Sequence, residues 1–456
     1  MPTKRSSRYL PSFQKILSLP PLLKTIRNQF EKIIEPITKV TNPTVSLPDV
    51  IMSGFAIFSL KYPSLLQFDK KRKEPKIKAN LANLFGIKKS VCDTQMRERL
   101  DEINHLILRP GFVDIHKKLQ SQHVLNEYHY LDNHLLFAID GTTYYQSEAI
   151  CCEKCNVKNK TNGKIEYSHQ ALGCSIVHPE KSQVFPLFHE EIRKEDGESK
   201  NDCEQNAVKR YLPEIRKVYP TQKITILEDS LFATAPHVKL LISLNFSYII
   251  AAKPGDHAFL FKQFEQYISE GKTEKFECID KNGTIKGYRY SNDLPLNDSN
   301  QDVRVNFIEH WEIAATGRYK NKRKTFTYIT DHSITKKIAA DIAKGGRTRS
   351  KIENETFNTL KNQDYHFEHN YGHGKKNLSS VFVSLMFLAF LIDQIQEACC
   401  EFFQAAHKKS HSRIALWERV RGLFLEFYIN KWEDIYLSII YGHRSGDLEP
   451  DILDTS

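Results

Sequence analysis

Two apolar runs in this chain end in an aspartate: HLLFAID closes on Asp140 and KITILED on Asp229. A third acid, Glu353, sits among apolar neighbours in RSKIENETFNTLK, with Arg349 ahead of it and Glu355 as a rival acid behind. Carboxylates at the strand ends of an α/β sheet face the crevice where such sheets bind ligands. An ionised aspartate there needs a partner, and a divalent cation is one. Two strand ends and a helix supplying Asp140, Asp229 and Glu353 would hold Mg²⁺ or Mn²⁺. A pair of such ions, about 3.5–4 Å apart, assists the attacking and leaving oxygens of phosphoryl transfer. Each acid also has a plainer reading: Asp140 as a turn residue before GTT, Asp229 as a cap before Ser230, and Glu353 as a first-turn glutamate. Their joint order along the chain favours the metal site.

The elements that must position them follow from hydrophobic periodicity. Residues 1–130 read as mainly helical; Met96, Leu100, Ile103 and Ile107 recur on one helical face of CDTQMRERLDEINHLIL. Pro43 and Pro48 break the chain before the apolar stretch IMSGFAIFSL. From 131 to 255 the pattern is three strands, helix, strand, helix, strand, which implies α/β layers. In the first of these helices, Ala207, Tyr211, Ile215 and Val218 share a face. Residues 256–335 read as mainly β, with no helix of good length needed before about 334. Residues 336–395 return to helix, and 396–456 form a helical C-terminal region.

FAIDGTTYY, ITILEDSLFA and RSKIENETFNTLK resemble the three acidic blocks of insertion-sequence transposases of the DDE type. The resemblance covers roughly 80–450 in layout, and the branch it points to carries a β-strand insertion before the last acid. In that branch the final block reads Tyr, two residues, Arg, three residues, Glu, six residues, Lys. Arg349 and Glu353 keep their spacing; the Tyr position falls on Gly346, and Lys361 stands one residue late. Ile352-Glu353-Asn354 matches the IEN tripeptide of another group of these enzymes.

The resemblance implies an RNase H-like catalytic core with a mainly β insertion, a helical N-terminal DNA-binding region and a helical tail. It implies metal-dependent cleavage at element ends and transfer of the 3′-hydroxyl into target DNA, carried by Asp140, Asp229 and Glu353. Homodimers on DNA are expected. The alternatives are a stand-alone nuclease and a non-catalytic DNA-binding descendant. Arg349, Lys361 and His373 are expected at DNA phosphates, with His369, Tyr371 and Lys375 extending that surface. The other reading of EHNYGHG is a structured turn using Gly372 and Gly374. Trp311 is either a core residue or a stacking platform for an unpaired base.

A second constellation follows Asp140. Cys152 and Cys155 have C-x₂-C spacing, and His169 and Cys174 would complete four zinc ligands. Against that set, His169 and Cys174 lie five residues apart on an expected strand and so face opposite sides.

Composition bounds the rest. The 456 residues are 40% hydrophobic and 26% charged, enough for a sizeable core, with a formal net charge of +10. The basic excess favours an acidic partner, DNA first. Residues 1–40 carry eight Lys or Arg against Glu31 and Glu35, and KKRKEPKIK spans Lys70–Lys78; the alternative for each run is a solvated surface. MPTKRSSRYLPSF has no apolar segment of a signal peptide. VFVSLMFLAFLIDQ is too short for a confident span and reads as a buried core helix, so no membrane partner is expected. Nine cysteines without a secretory signal imply reduced thiols and a cytoplasmic, nucleoid-associated prokaryotic protein.

Overall fold

The computed structural model describes residues 16–36, 44–196, 200–317, 320–369, 371–442 and 449–450. Much of the early basic run, including Lys4, Arg5, Arg8, Lys15 and Lys39, lies outside them.

Among the described residues before the sheet lie six α-helices: α1 (Leu19–Phe30), α2 (Leu47–Ser59), α3 (Leu65–Lys71), α4 (Pro75–Phe85), α5 (Asp93–Asp101) and α6 (Arg109–Ser121). Pro48 starts α2 instead of breaking the chain. It stands in the first turn, where no intrahelical N–H is needed, and the Ser46 hydroxyl accepts from the Asp49 N–H. The helix expected through Ile107 stops at Asp101 and resumes as a 3₁₀ turn, His105–Leu108, capped by Asn104.

Twelve strands then form one mixed sheet. They are β1 (His129–Tyr130), β2 (His134–Ser147), β3 (Asn156–Asn159), β4 (Ile165–Val177), β5 (Phe185–Pro186), β6 (Glu190–Ile192), β7 (Ile224–Glu228), β8 (Ser247–Ala251), β9 (Glu274–Ile279), β10 (Ile285–Asn297), β11 (Asn300–Ile313) and β12 (Arg323–Thr330). The order is β3-β4-β2-β7-β8-β12-β11-β10-β9, with β1 on β2 and β5 and β6 on β4. Strand β2 is antiparallel to β4 and parallel to β7, and β7 is parallel to β8. Helices α7 (Lys200–Val218) and α8 (Ala235–Ser243) make the crossovers. Ala207, Tyr211, Ile215 and Val218 are buried, as a single apolar face requires.

The β segment before the last acid is continuous with this sheet. Strand β12 pairs antiparallel with β8 through Ile329 and Ile250, so β9–β12 extend the same surface. A helix also lies within it: α9 (Ala258–Ser269) buries Leu260 and Phe264, and Phe264 meets the Phe307 ring at 4.5 Å. The sequence hides it because only this i, i+4 pair is fully buried and polar residues interrupt the rest. The outer edge strand β9 carries Glu274, Lys275 and Glu277, all exposed.

The chain then enters α10 (Ala339–Arg347), a π-helix over Ile352–Phe357 and the short α11 (Asn358–Asn362). Helix α12 (Leu378–Cys399) is long and apolar enough to cross a membrane, but 94% of its apolar window is buried within the protein. It packs between α2 and the β5 side of the sheet, and is the core helix of the fold. One charged pair crosses this core: Lys61 Nζ lies 2.7 Å from Asp393 Oδ2, which also accepts from the Tyr365 hydroxyl at 2.6 Å. Lys61 Nζ lies over the Tyr365 and Trp417 rings, 4.2 Å from each centroid. Helices α13 (Glu401–Ser410), α14 (Arg413–Glu426) and α15 (Trp432–Tyr441) complete the described C-terminal part.

Candidate active site

Asp140 and Asp229 occupy equivalent places on neighbouring parallel strands. The β2–β7 register pairs Ala138 with Leu227, and each aspartate lies two residues further on. Asp229 stands just past the end of β7, but Asp140 lies within β2, which does not end at the acid or turn at Gly141 but stays paired with β4 as far as Ser147. Asp140 Oδ1 accepts from the Gly141 N–H at 2.9 Å. Asp229 Oδ1 accepts from the Leu231 N–H at 2.9 Å, capping the 3₁₀ turn Ser230–Phe232. The strand-end and cap roles of Asp229 therefore coexist.

Glu353 arrives from the π-helix, and Arg349 ties it to the sheet. The guanidinium donates from Nη1 to Asp140 Oδ2 at 2.9 Å and from Nη2 to Glu353 Oε1 at 2.5 Å. Glu355, by contrast, has Lys351 as its charged neighbour. A π-helix widens the backbone ladder and recurs at functional sites. Its seating depends on Gly173, the β4 residue paired with Asp140. A Cβ there would stand 2.7 Å from Phe357 Cε1, so only glycine lets the π-helix lie this close. Beside it, the Ser175 and Thr356 hydroxyls share a hydrogen bond of 2.9 Å.

Electrostatically the site is rich in negative charge. Burial pushes the Asp140 carboxyl up to about 6, Arg349 opposes the rise, and Glu353 adds to it. A further carboxylate was missed by sequence reasoning. Glu204 of α7 is buried, with Oε1 2.6 Å from where a Gly141 Cβ would stand. The signal was present: Glu204 precedes Ala207, Tyr211 and Ile215 by three, seven and eleven residues, an acid on the buried face of a helix.

The expected phosphate-contacting set does not share one surface. Arg349 is engaged by the two carboxylates, and Lys361 pairs with Glu368 at 2.7 Å. His369 and Lys375 are exposed. Tyr371 is buried, its hydroxyl donating to the Tyr62 carbonyl at 2.7 Å. His373 is buried as well and points into the cysteine cluster. Trp311 is 1% exposed, and its indole fills the space over Gly287, which rules out base stacking in this conformation.

The cysteine cluster differs from the expected ligand set. Cys152, Cys155, His169 and His373 bring one ligand atom each within 4.8 Å of all the others. Cys174 is not among them. It is fully buried on β4 opposite Ile139, on the other face of the strand from His169 as the pleat requires. Burial holds its thiol pKa well above the ordinary value.

No protein-family model matches this chain, and no curated protein matches it. Among solved structures, it is similar to a cryo-EM structure of the piggyBac transposase synaptic complex with hairpin DNA. The TM-score is 0.39 and the identity 11%, over 99% of this chain and 87% of that one. A likeness at that level carries no argument about chemistry, which rests on the chain's own residues.

Proposed function

We propose that the chain is a DDE-type DNA transposase that cuts element ends and joins the freed 3′-hydroxyl to target DNA. One observation carries the reading: Asp140 within β2 and Asp229 just past the end of β7 stand at equivalent positions of adjacent parallel strands, and Glu353 is tethered to Asp140 through Arg349. The strand order supports an RNase H-like core. Strands β6-β4-β2-β7-β8 stand in sequence as third, second, first, fourth and fifth, the first three antiparallel and the last two parallel to the first.

The donor set suits a hard divalent cation. Asp140, Asp229 and Glu353 offer oxygen ligands, and burial, with a smaller contribution from Glu353, raises the Asp140 pKa against the opposing Arg349. Mg²⁺ or Mn²⁺ bound there supplies the charge that stabilises the attacking and leaving oxygens in phosphoryl transfer. The chain's own residues set the geometry: the two strands fix Asp140 and Asp229, and Gly173 and Arg349 set the height and position of Glu353. DNA is the proposed partner, held by the basic excess of the chain, with two copies pairing the two ends.

The test uses linear DNA carrying the flanks of the gene, incubated with the purified full chain and Mg²⁺ or Mn²⁺. Metal-dependent cuts at fixed positions in both flanks, followed by joined donor–target products, are expected from the native protein and not from Asp229→Ala or Glu353→Gln. Cleavage without joining would instead make it a nuclease. Salt-sensitive binding without cleavage would make it a DNA-binding descendant. Equal cleavage by Glu353→Gln would remove Glu353 from the site.

A further inference from the structure

We propose that Cys152, Cys155, His169 and His373 form a closed, structural zinc site. Cys152 Sγ and Cys155 Sγ are 3.9 Å apart. His169 Nε2 lies 3.4 Å from each sulfur, and His373 Nε2 lies 3.5 Å from Cys155 Sγ. A tetrahedral zinc with bonds of about 2.3 Å to sulfur and about 2.0–2.1 Å to nitrogen places sulfurs about 3.8 Å apart and sulfur and nitrogen about 3.5 Å apart. Four of the six ligand separations already stand at those values, and the other two are within 4.8 Å.

Charge and chemistry agree. Two thiolates and two neutral imidazoles around Zn²⁺ sum to zero, which a buried cluster tolerates. The mixed sulfur and nitrogen set in this geometry suits zinc, whereas hard oxygen-seeking cations find no donor. The Cys152 backbone N–H points at Cys155 Sγ from 3.4 Å, a contact that favours a thiolate. A disulfide would need the sulfurs at about 2.05 Å.

The fourth ligand is built in by the loop that carries it. His373 stands between Gly372 and Gly374, whose φ values of +141° and +72° are strained for any side chain. A Cβ on Gly374 would stand 2.4 Å from Asp101 Oδ1. The Asp101 carboxylate accepts the backbone N–H groups of Lys375, Lys376, Asn377 and Leu378, at 2.8–3.0 Å. The Tyr145 ring covers the imidazole at 4.2 Å between centroids. All four positions are protein ligands, so the site is structural: it fastens the β2–β4 excursion to the loop entering α12, twenty residues beyond Glu353.

The test is metal content, which is independent of any DNA chemistry. Full-length protein, purified and dialysed against a weak chelator, is expected to hold one zinc per chain by mass spectrometry. Cobalt in its place should give the ligand-field and thiolate charge-transfer bands of a tetrahedral two-sulfur site. Cys152→Ser, Cys155→Ser, His169→Ala and His373→Ala should each lose the metal, while Cys151→Ser and Cys174→Ser keep it. His373→Cys should retain it with a stronger thiolate band, which separates lost ligation from lost folding. A zinc-free native chain, a Cys152–Cys155 disulfide in the purified protein, or metal loss in Cys174→Ser equal to that in His373→Ala would each overturn the assignment.

Discussion

Arg349 joins two acids that are 213 positions apart in the chain, donating to Asp140 at 2.9 Å and to Glu353 at 2.5 Å. Without a cation it is the guanidinium that keeps these carboxylates from repelling each other. Arg349→Ala should therefore lower the unfolding temperature in chelator, by less than the roughly 3–5 kcal/mol lost when a fully buried pair is broken. Mn²⁺ should recover more stability in this variant than it adds to the native chain. An equal Mn²⁺ increment in both proteins, read by thermal unfolding, would refute that role.

The raised Asp140 pKa gives the fold a pH signature. The carboxyl holds its proton to about pH 6 when folded, against an ordinary value of 3.8. Between those values the folded chain binds the proton and the unfolded chain does not. This stabilises the fold at low pH and is lost as pH rises through about 6. In chelator, Asp140→Asn should gain on the native protein as pH rises from 4.5 to 7.5. A cation must displace the same proton, so Mn²⁺-dependent stabilisation should weaken below about pH 6. A pH-independent difference between the two proteins would contradict this.

Gly173 sets the height of the π-helix above the sheet. Gly173→Ala brings a methyl to 2.7 Å from the Phe357 ring. It should cost about 1–3 kcal/mol of stability as an overpacked contact. Gly173→Ala combined with Phe357→Leu should cost less than Gly173→Ala alone in denaturant titrations. Additive losses would show that the ring is not the obstacle.

The Lys61–Asp393 pair lies in the core, where burial lowers the lysine pKa and raises that of the aspartate. Lys61→Met leaves a buried acid without its cation and should cost about 3–5 kcal/mol. Lys61→Met with Asp393→Leu should recover most of that loss, since two apolar side chains of similar volume need no partner. Equal losses in the single and double variants would overturn the expectation.

What the sequence showed and what it hid follow from how each signal is written. An apolar run closing on an acid is a local signal: it places Asp229 at the end of β7, but for Asp140 it marks only where burial gives way, because β2 continues to Ser147 as a partly exposed strand. C-x₂-C is local too, and it marked half of the cysteine cluster. His169, close by in the chain, was also named; the fourth member depends on distance in the chain. His373 lies more than 200 residues from Cys152, in a glycine-flanked loop that reads equally as a turn or as a phosphate-contacting surface. Cys174 had proximity in its favour, but the two-residue pleat of β4 turns it away from His169. Glu204 was overlooked because an acid on an apolar helical face draws attention only once its neighbour, Gly141, is known. Helix α9 was overlooked because its buried face is narrow.

The continuity of β9–β12 with the rest of the sheet leaves the six-residue β9 as an edge strand among the described residues. The unpaired side of an edge strand is a template on which another chain can add a strand. Glu274, Lys275 and Glu277 stand exposed along β9. A copy adding parallel and in register would set Glu274, Lys275 and Glu277 each beside its own like charge. The charged fringe thus acts against runaway edge-to-edge polymerisation, and neutralising it should show first as loss of solubility.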